Sequence, residues 1–318
     1  MEVGVSVPRL RVGCLADVGI GREHQEDSIG YASLYEAPTY GPLAQQRGNL
    51  YVLADGAGGH EAGDIASEMA VLGTLEFYYH EPFTGTEEAI LQAIRHASHR
   101  IGHYAANTGV SARTTLVCVV LQGNELCTVN VGDSRAYLIR NGQAIQLSED
   151  HTLVARWVRE GQVTDEQARE HSYRHVVTQA LGGTEEVQPS VHWEEILPGD
   201  AIVLCSDGLY GVVEDDAIAR TVSHAPEPQT ACEQLVDLAN GVGGPDNISV
   251  VVVHVEEVDL QQHGDASQEA DAVPDPLFER QANGIITLGL DPQDPKSKRQ
   301  ARSQLGIMEK LSALFERR

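Results

Sequence analysis

The chain has 318 residues, a formal net charge of −25, and a composition that is 42% hydrophobic and 22% charged, which suits a soluble globular protein with one large domain or two ordinary ones. That acidity argues against nucleic acid as a partner, because a binding face would have to overcome phosphate repulsion across the whole molecule. No run approaches the roughly 18 apolar residues of a membrane span, and Met1 to Leu10 lack the features of a secretory signal, so a cytoplasmic protein without membrane contact is expected.

Short apolar runs at Leu10–Val18 and Asn49–Ala54 read as strands. Glu61–Tyr79, rich in Ala, Leu, Met and Glu, reads as a helix. Thr86–Ala106 is a second helix, with Ile90, Ala93, Ile94, Ala97, Ile101 and Tyr104 on one face and Thr86 as its cap. Strands are predicted at Thr114–Leu121, Leu126–Val131, Arg135–Ile139 and Gln143–Leu147. Gly123-Asn124 and Asn141-Gly142 between them are hairpin turns, so the block reads as one antiparallel meander. Residues 151–181 carry charged helical segments outside the strand pattern and read as an inserted, exposed subdomain. Strands resume at Ala201–Cys205 and Ile248–Val255, with a helix over Thr230–Asn240. The five cysteines, odd in number and without a Cys-x-x-Cys pair, are expected to be buried free thiols.

Residues 1–257 therefore form the predicted folded domain. The acidic stretch 258–295, with few aromatic residues, reads as a disordered linker. Residues 296–318 open with Lys296, Lys298, Arg299 and Arg302 and continue with Leu305, Met308, Leu311, Leu314 and Phe315, the pattern of a basic amphipathic helix. It could pack back on its own domain, dock a partner protein, or lie on a membrane. Its shortness and the acids Glu309 and Glu316 disfavour lipid.

Chemistry concentrates where predicted strands end, the places where rigid sheets hand side chains to loops. Five stretches stand out: Arg22-Glu-His-Gln-Glu26-Asp27, Asp55-Gly56-Ala57-Gly58-Gly59-His60, Gly132-Asp133-Ser134-Arg135, Ser206-Asp207-Gly208, and Pro245-Asp246-Asn247. Each alone is weak, since Asp-Gly is a common turn. Together and in this order they resemble the PPM family, the type 2C metal-dependent serine/threonine protein phosphatases, and its bacterial branch in particular. The resemblance covers about residues 10–255, and Leu147-Ser-Glu-Asp-His151 resembles the family's connection into a mobile flap.

The resemblance implies an α+β fold, an αββα four-layer sandwich of two mainly antiparallel sheets flanked by helix pairs. It implies two Mn²⁺ or Mg²⁺ ions: Asp55 bridges them, Asp207 and Asp246 complete the first, and Glu26 with the Gly56 carbonyl helps hold the second. Asp27 would act through water, and Asp133 with Asp207 would offer a weaker third position. Hard divalent ions favour such oxygen ligands and keep several waters. A hydroxide between the two ions would attack phosphorus, and Arg22 would bind the phosphate and stabilise the transition state. The expected activity is hydrolysis of phosphoserine or phosphothreonine on proteins. Where some members have a His immediately after the Asp-Gly, this chain has Ala57, which cannot protonate a leaving alkoxide; His60, His24 and His151 are weaker candidates for that role. Two other readings stand beside the phosphatase: a catalytically silent scaffold for phosphoproteins, and a phosphoesterase acting on small molecules.

Overall fold

The computed structural model describes residues 9–32, 47–57, 62–82, 85–258, 278–280 and 285–288. Strands are β1 (Arg9–Asp17), β2 (Asp27–Ala32), β3 (Asn49–Ala57), β4 (Arg113–Thr114), β5 (Leu116–Gln122), β6 (Glu125–Val131), β7 (Arg135–Arg140), β8 (Gln143–Gln146), β9 (Ser190–Glu195), β10 (Ala201–Cys205), β11 (Ile248–Glu257), β12 (Phe278–Arg280) and β13 (Ile285–Leu288). Helices are α1 (Gly63–His80), α2 (Thr86–Thr108), α3 (Leu153–Arg159), α4 (Asp165–Glu170), α5 (Asp207–Tyr210), α6 (Asp215–His224) and α7 (Pro228–Gly241). One sheet has the order β1-β11-β10-β7-β8. The other runs β12-β13-β2-β3-β5-β6-β9, with β4 paired to the end of β3.

Alternation along the strands builds four layers. In β3, Tyr51 and Leu53 face inward, where with Val117 and Val119 they meet Leu138, Ile202, Leu204, Val251 and Val253 of the opposing sheet. Their neighbours Leu50, Val52 and Ala54 face outward and are covered by Ala66, Met69 and Ala70 of α1 and Ile90, Ile94 and Ile101 of α2. On the far side Val203, Val250 and Val252 pack beneath α6 and α7 through Ile218, Val222, Ala231 and Leu235. The expected αββα sandwich of two mainly antiparallel sheets is the observed architecture; β13 alongside β2 is the parallel pair. No helix among the described residues is long and apolar enough to cross a membrane.

Several expectations change in detail. The meander is two hairpins in different sheets: β5–β6 belong to one and β7–β8 to the other, and the chain crosses between them at Gly132, whose φ of 100° suits glycine. Asn141 and Gly142, at φ 53° and 74°, make the predicted tight turn of the second hairpin. Thr86 does not cap α2. Gly85 occupies that position, and Thr86 donates its hydroxyl to Gln122 at 2.8 Å. All five cysteines are free, four of them buried and Cys14 partly so. Within 258–295, two segments depart from a linker: Phe278–Arg280 and Ile285–Leu288 are strands, and Ile285 is buried in the core between the sheets. The apolar, β-branched run Ile285-Ile286-Thr287 supplies the reason. The helix expected at 296–318 lies outside the described residues, as do Gly58, Gly59 and His60.

Candidate metal centre

Strand ends at one edge of the sandwich bring the predicted aspartates together. Asp27 opens β2 and sits opposite Asp55 near the end of β3 in the antiparallel ladder. Asp133 lies in the β6–β7 crossing, Asp207 starts α5 directly after β10, and Asp246 precedes β11. The charge of each is felt by its neighbours. Burial pushes the Asp55 carboxyl well above its ordinary range, and Asp27, Asp207, Asp133 and Asp246 push it further. Asp27 is raised to about 7 by burial, opposed by the hydroxyls of Ser249 and Ser206, with Asp207 and Asp246 adding to the rise. Asp133 also reaches about 7, through burial and then Asp207 and Asp150. Asp207 is raised by burial and by Asp246, and lowered by His175 and Arg22.

This density of like charge has no explanation in packing, since buried carboxylates are ordinarily paired. One oxygen of Asp27 accepts from Ser206 Oγ at 2.8 Å, whereas the buried Oδ1 makes no well-formed hydrogen bond, although the Ser249 hydroxyl acts on this carboxyl. Such a buried oxygen among raised carboxyls fits a cation with oxygen ligands. Among the described residues no three His, Cys, Asp or Glu side chains close around one point. Mg²⁺ and Mn²⁺ need no such cage, because they keep several waters and use few carboxylates.

Arg22 does not pair with Glu23 or Glu26. Its Nη2 donates to Asp246 Oδ2 at 2.7 Å, and about half of its side chain remains exposed, leaving donors of the guanidinium free to reach outward. Glu26 stands at the rim, close against the first turn of α1: a Cβ on Gly63 would fall 2.6 Å from its Oε2. Gly56 has an equally strict reason to lack a side chain, because a Cβ there would overlap the Gly63 carbonyl. The Glu26 carbonyl accepts from Gly56 N–H at 3.1 Å, so the Glu26 loop, the end of β3 and the start of α1 are in direct backbone contact.

The residues that hold this geometry are the ones sequence reasoning gave no role. Asn247 is buried; its Oδ1 accepts from Glu26 N–H at 2.8 Å, and its Nδ2 donates to the carbonyls of Val18 and His24 at 2.8 and 2.9 Å. Thr114 Oγ1 and Thr115 N–H donate to the Asp55 carbonyl at 2.8 and 2.9 Å, and Asp55 N–H donates to Thr115 Oγ1 at 3.1 Å. Arg135 forks Asp150, with its shortest contact at 2.6 Å, and lies 3.8 Å over the Tyr210 ring, so the base of the inserted subdomain is tied to α5. Arg135 and Asn247, like Ser206, belong to the motif stretches beside an aspartate, which marked them without giving them a role. His151 is a structural residue: its Nδ1 accepts from Gly132 N–H at 3.2 Å, so Nε2 carries the proton and donates to Ser190 Oγ at 2.9 Å. The inserted subdomain also brings His175 Nδ1 to 3.8 Å from Asp207 Oδ2.

The raised carboxyls set a sign for pH. A folded-state pKa lifted from the ordinary range to about 7, as at Asp27 and Asp133, gives stability that is present at low pH and lost as pH rises towards 7 and above. Metal-stripped protein is therefore expected to melt higher near pH 5 than near pH 8. Mn²⁺ should reverse the order by stabilising the protein much more at pH 8, where protons no longer compete. Thermal scans in chelator and in Mn²⁺ measure both; an equal Mn²⁺ shift at the two pH values would refute the competition.

The chain is similar to known proteins over most of its length. Residues 42–238 match the family profile described as Protein phosphatase 2C. The serine/threonine protein phosphatase PstP of Mycobacterium tuberculosis is 34% identical over 264 residues, covering 80% of this chain and 46% of that protein. The chain thus spans about half the length of that relative. The protein phosphatase PhpP of Streptococcus pneumoniae is 31% identical over 258 residues, covering 79% of this chain and 100% of that one. Among solved structures, the catalytic domain of PstP in complex with two manganese ions has a TM-score of 0.66 at 34% identity, covering 78% of this chain and 99% of that domain.

Proposed function

The chain belongs to the protein phosphatase 2C family, and from that premise we propose that it hydrolyses phosphoserine and phosphothreonine on proteins with the help of divalent cations. The observation that carries the reading is the gathering of Asp27, Asp55, Asp133, Asp207 and Asp246 at one edge of the sandwich with Arg22 beside them. Asp55, Asp207 and Asp246 would hold one Mn²⁺ or Mg²⁺ ion, Asp55 with Glu26 and the Gly56 carbonyl a second, and Asp133 with Asp207 a weaker third, with Asp27 acting through water. When bound, the ions supply positive charge against the phosphate and make water acidic enough to yield a nucleophile near neutral pH.

The protein's own groups do the positioning. Arg22, anchored on Asp246, keeps its remaining N–H donors for phosphate oxygens, and its planar fork suits two of them. Asp55 is held by its backbone between Thr114 and Thr115, so its carboxylate is aimed by the sheet and not by a loop. Ala57, at the exposed end of β3, presents only a methyl group to a departing alkoxide. A scaffold without chemistry would have no need to keep five mutually repelling aspartates, and nothing in the geometry favours it.

The test is turnover of p-nitrophenyl phosphate and of a phosphothreonine peptide by the purified chain. Activity should require Mn²⁺ or Mg²⁺, vanish in EDTA and return on adding metal. Turnover indifferent to EDTA overturns the metal-dependent reading.

A further inference from the structure

Strand β2 opens on Asp27 and, with β1, roots the loop that carries Arg22 and Glu26. Three features make it a weak member of its sheet. Gly30 at its middle has no side chain to pack and costs backbone entropy. Asp27 stands directly opposite Asp55 in the ladder with β3, where like charges repel. Without the β12–β13 hairpin, β2 would be the last strand of its sheet, with one row of backbone groups unpaired.

The hairpin supplies what β2 lacks. Strand β13 pairs with β2 in parallel, Ile285 beside Ile29, Ile286 beside Gly30 and Thr287 beside Tyr31, so the pairing begins two residues from Asp27. Strand β12 backs it, from Phe278 opposite Leu288 to Arg280 opposite Ile286. Ile285 is 4% exposed and belongs to the core between the sheets, together with Ile29 of β2 and Leu10 of β1. Strand β13 also lies near β1, the edge strand of the other sheet. One short segment therefore closes the side of the sandwich between the two strands from which the Arg22 loop springs. It does so from outside the residues 42–238 that match the family profile.

We propose that Ile285 and its strand are positioning elements of the metal centre, and that docking of the β12–β13 hairpin on β2 is coupled to cation binding at the aspartates. The proposal rests on the metal-centre reading above and adds a control to it. With the hairpin in place, β2 is held between two neighbours, and Asp27 stays beside Asp55 against their repulsion. With the hairpin released, β2 is an edge strand and the pair can move apart, so the arrangement that suits a cation is held less firmly. Cation binding works in the same direction, because it offsets the repulsion. Two events that favour one arrangement strengthen each other by the same factor. Release of the hairpin breaks no strand pairing other than β13 with β2, so it can open without unfolding the sandwich.

Calorimetric titration with Mn²⁺ of the full-length wild type, Ile285→Asp and Ile285→Val, at a temperature where each is folded, tests the coupling. The aspartate puts a charge where the core is apolar and should release the hairpin, weakening Mn²⁺ binding about tenfold, the low end of what outer partners of a metal ligand contribute. Valine keeps a β-branched side chain there and should bind as the wild type does. A role in stability alone would lower the melting temperature of the aspartate variant and leave its Mn²⁺ affinity unmoved. The reciprocal arm uses the wild type only: saturating Mn²⁺ should slow amide hydrogen exchange over Ile285–Leu288 by about the same factor. Wild-type affinity in a folded Ile285→Asp overturns the coupling and leaves the metal centre intact. So does exchange over Ile285–Leu288 that is indifferent to Mn²⁺, and this arm decides alone if the aspartate variant does not fold. Absence of Mn²⁺ binding by the wild type overturns the metal-centre reading, and the coupling with it.

Discussion

Asp55→Asn is expected to abolish metal-dependent turnover and, in the same molecule, to raise the melting temperature of the metal-free protein at pH 8. The two effects have one cause. The Asp55 carboxyl is pushed well above its ordinary range by burial and by Asp27, Asp207, Asp133 and Asp246, so without a cation its ionised form opposes folding. Asn keeps the size of the side chain and deletes the charge. The hydrogen bonds that place residue 55 are made by its backbone with Thr114 and Thr115 and survive the change. Losing a partner that merely orients a metal ligand costs about 10–100-fold, so loss of Asp55, the ligand proposed to be shared by two ions, should exceed about 100-fold. For stability, each kcal/mol of relieved repulsion raises Tm by about 2–4 °C in a domain of this size. Initial rates in Mn²⁺ and thermal scans in chelator measure both arms. Full turnover would remove Asp55 from the centre, and a lowered metal-free Tm would remove the repulsion.

Residues that announced themselves in the sequence did so because function and turn chemistry both leave local marks. Asp55, Asp207 and Asp246 adjoin the apolar runs of β3, β10 and β11, where a side chain leaves a rigid strand. Asn141-Gly142 marked its hairpin because both residues must take positive φ. Strand β2 left no such mark: Asp-Ser-Ile-Gly-Tyr-Ala has weak strand propensity and is held extended by neighbours on both sides. Sheet membership was equally hidden, since consecutive strands β6 and β7 look like one meander, and only the burial of both faces separates them into two sheets. Helix α6 and edge strand β9 were overlooked for a related reason. Their exposed faces are charged, so the apolar pattern that would reveal them is thin.

Asn247→Ala carries the other large expectation, a loss of stability together with a loss of activity, although Asn247 touches neither substrate nor any of the proposed ligand oxygens with its side chain. The amide joins three segments distant in sequence: Glu26 N–H on its oxygen, and the carbonyls of Val18 and His24 on its nitrogen. Asn247 is buried, only 4% exposed, and the groups it joins are partly buried. Alanine would leave one partly buried donor and two partly buried acceptors without their partner. Water can reach some of these groups, so the cost is about 1–3 kcal/mol in all. The loop so released carries Arg22 and Glu26, while Asp246, the anchor of Arg22, stays with β11. Turnover should therefore fall about 10–100-fold, as for other residues that orient a metal site, with KM rising as Arg22, the proposed phosphate clamp, loosens. Asn247→Asp separates this account from simple loss of volume. An aspartate has nearly the same shape, yet in its ionised form it has no donor for the Val18 and His24 carbonyls and adds another negative charge beside the aspartates. It should be worse than alanine in both Tm and turnover. If the aspartate variant instead keeps wild-type stability and rate, the amide's hydrogen bonds do not hold the Arg22 loop, and shape alone places it.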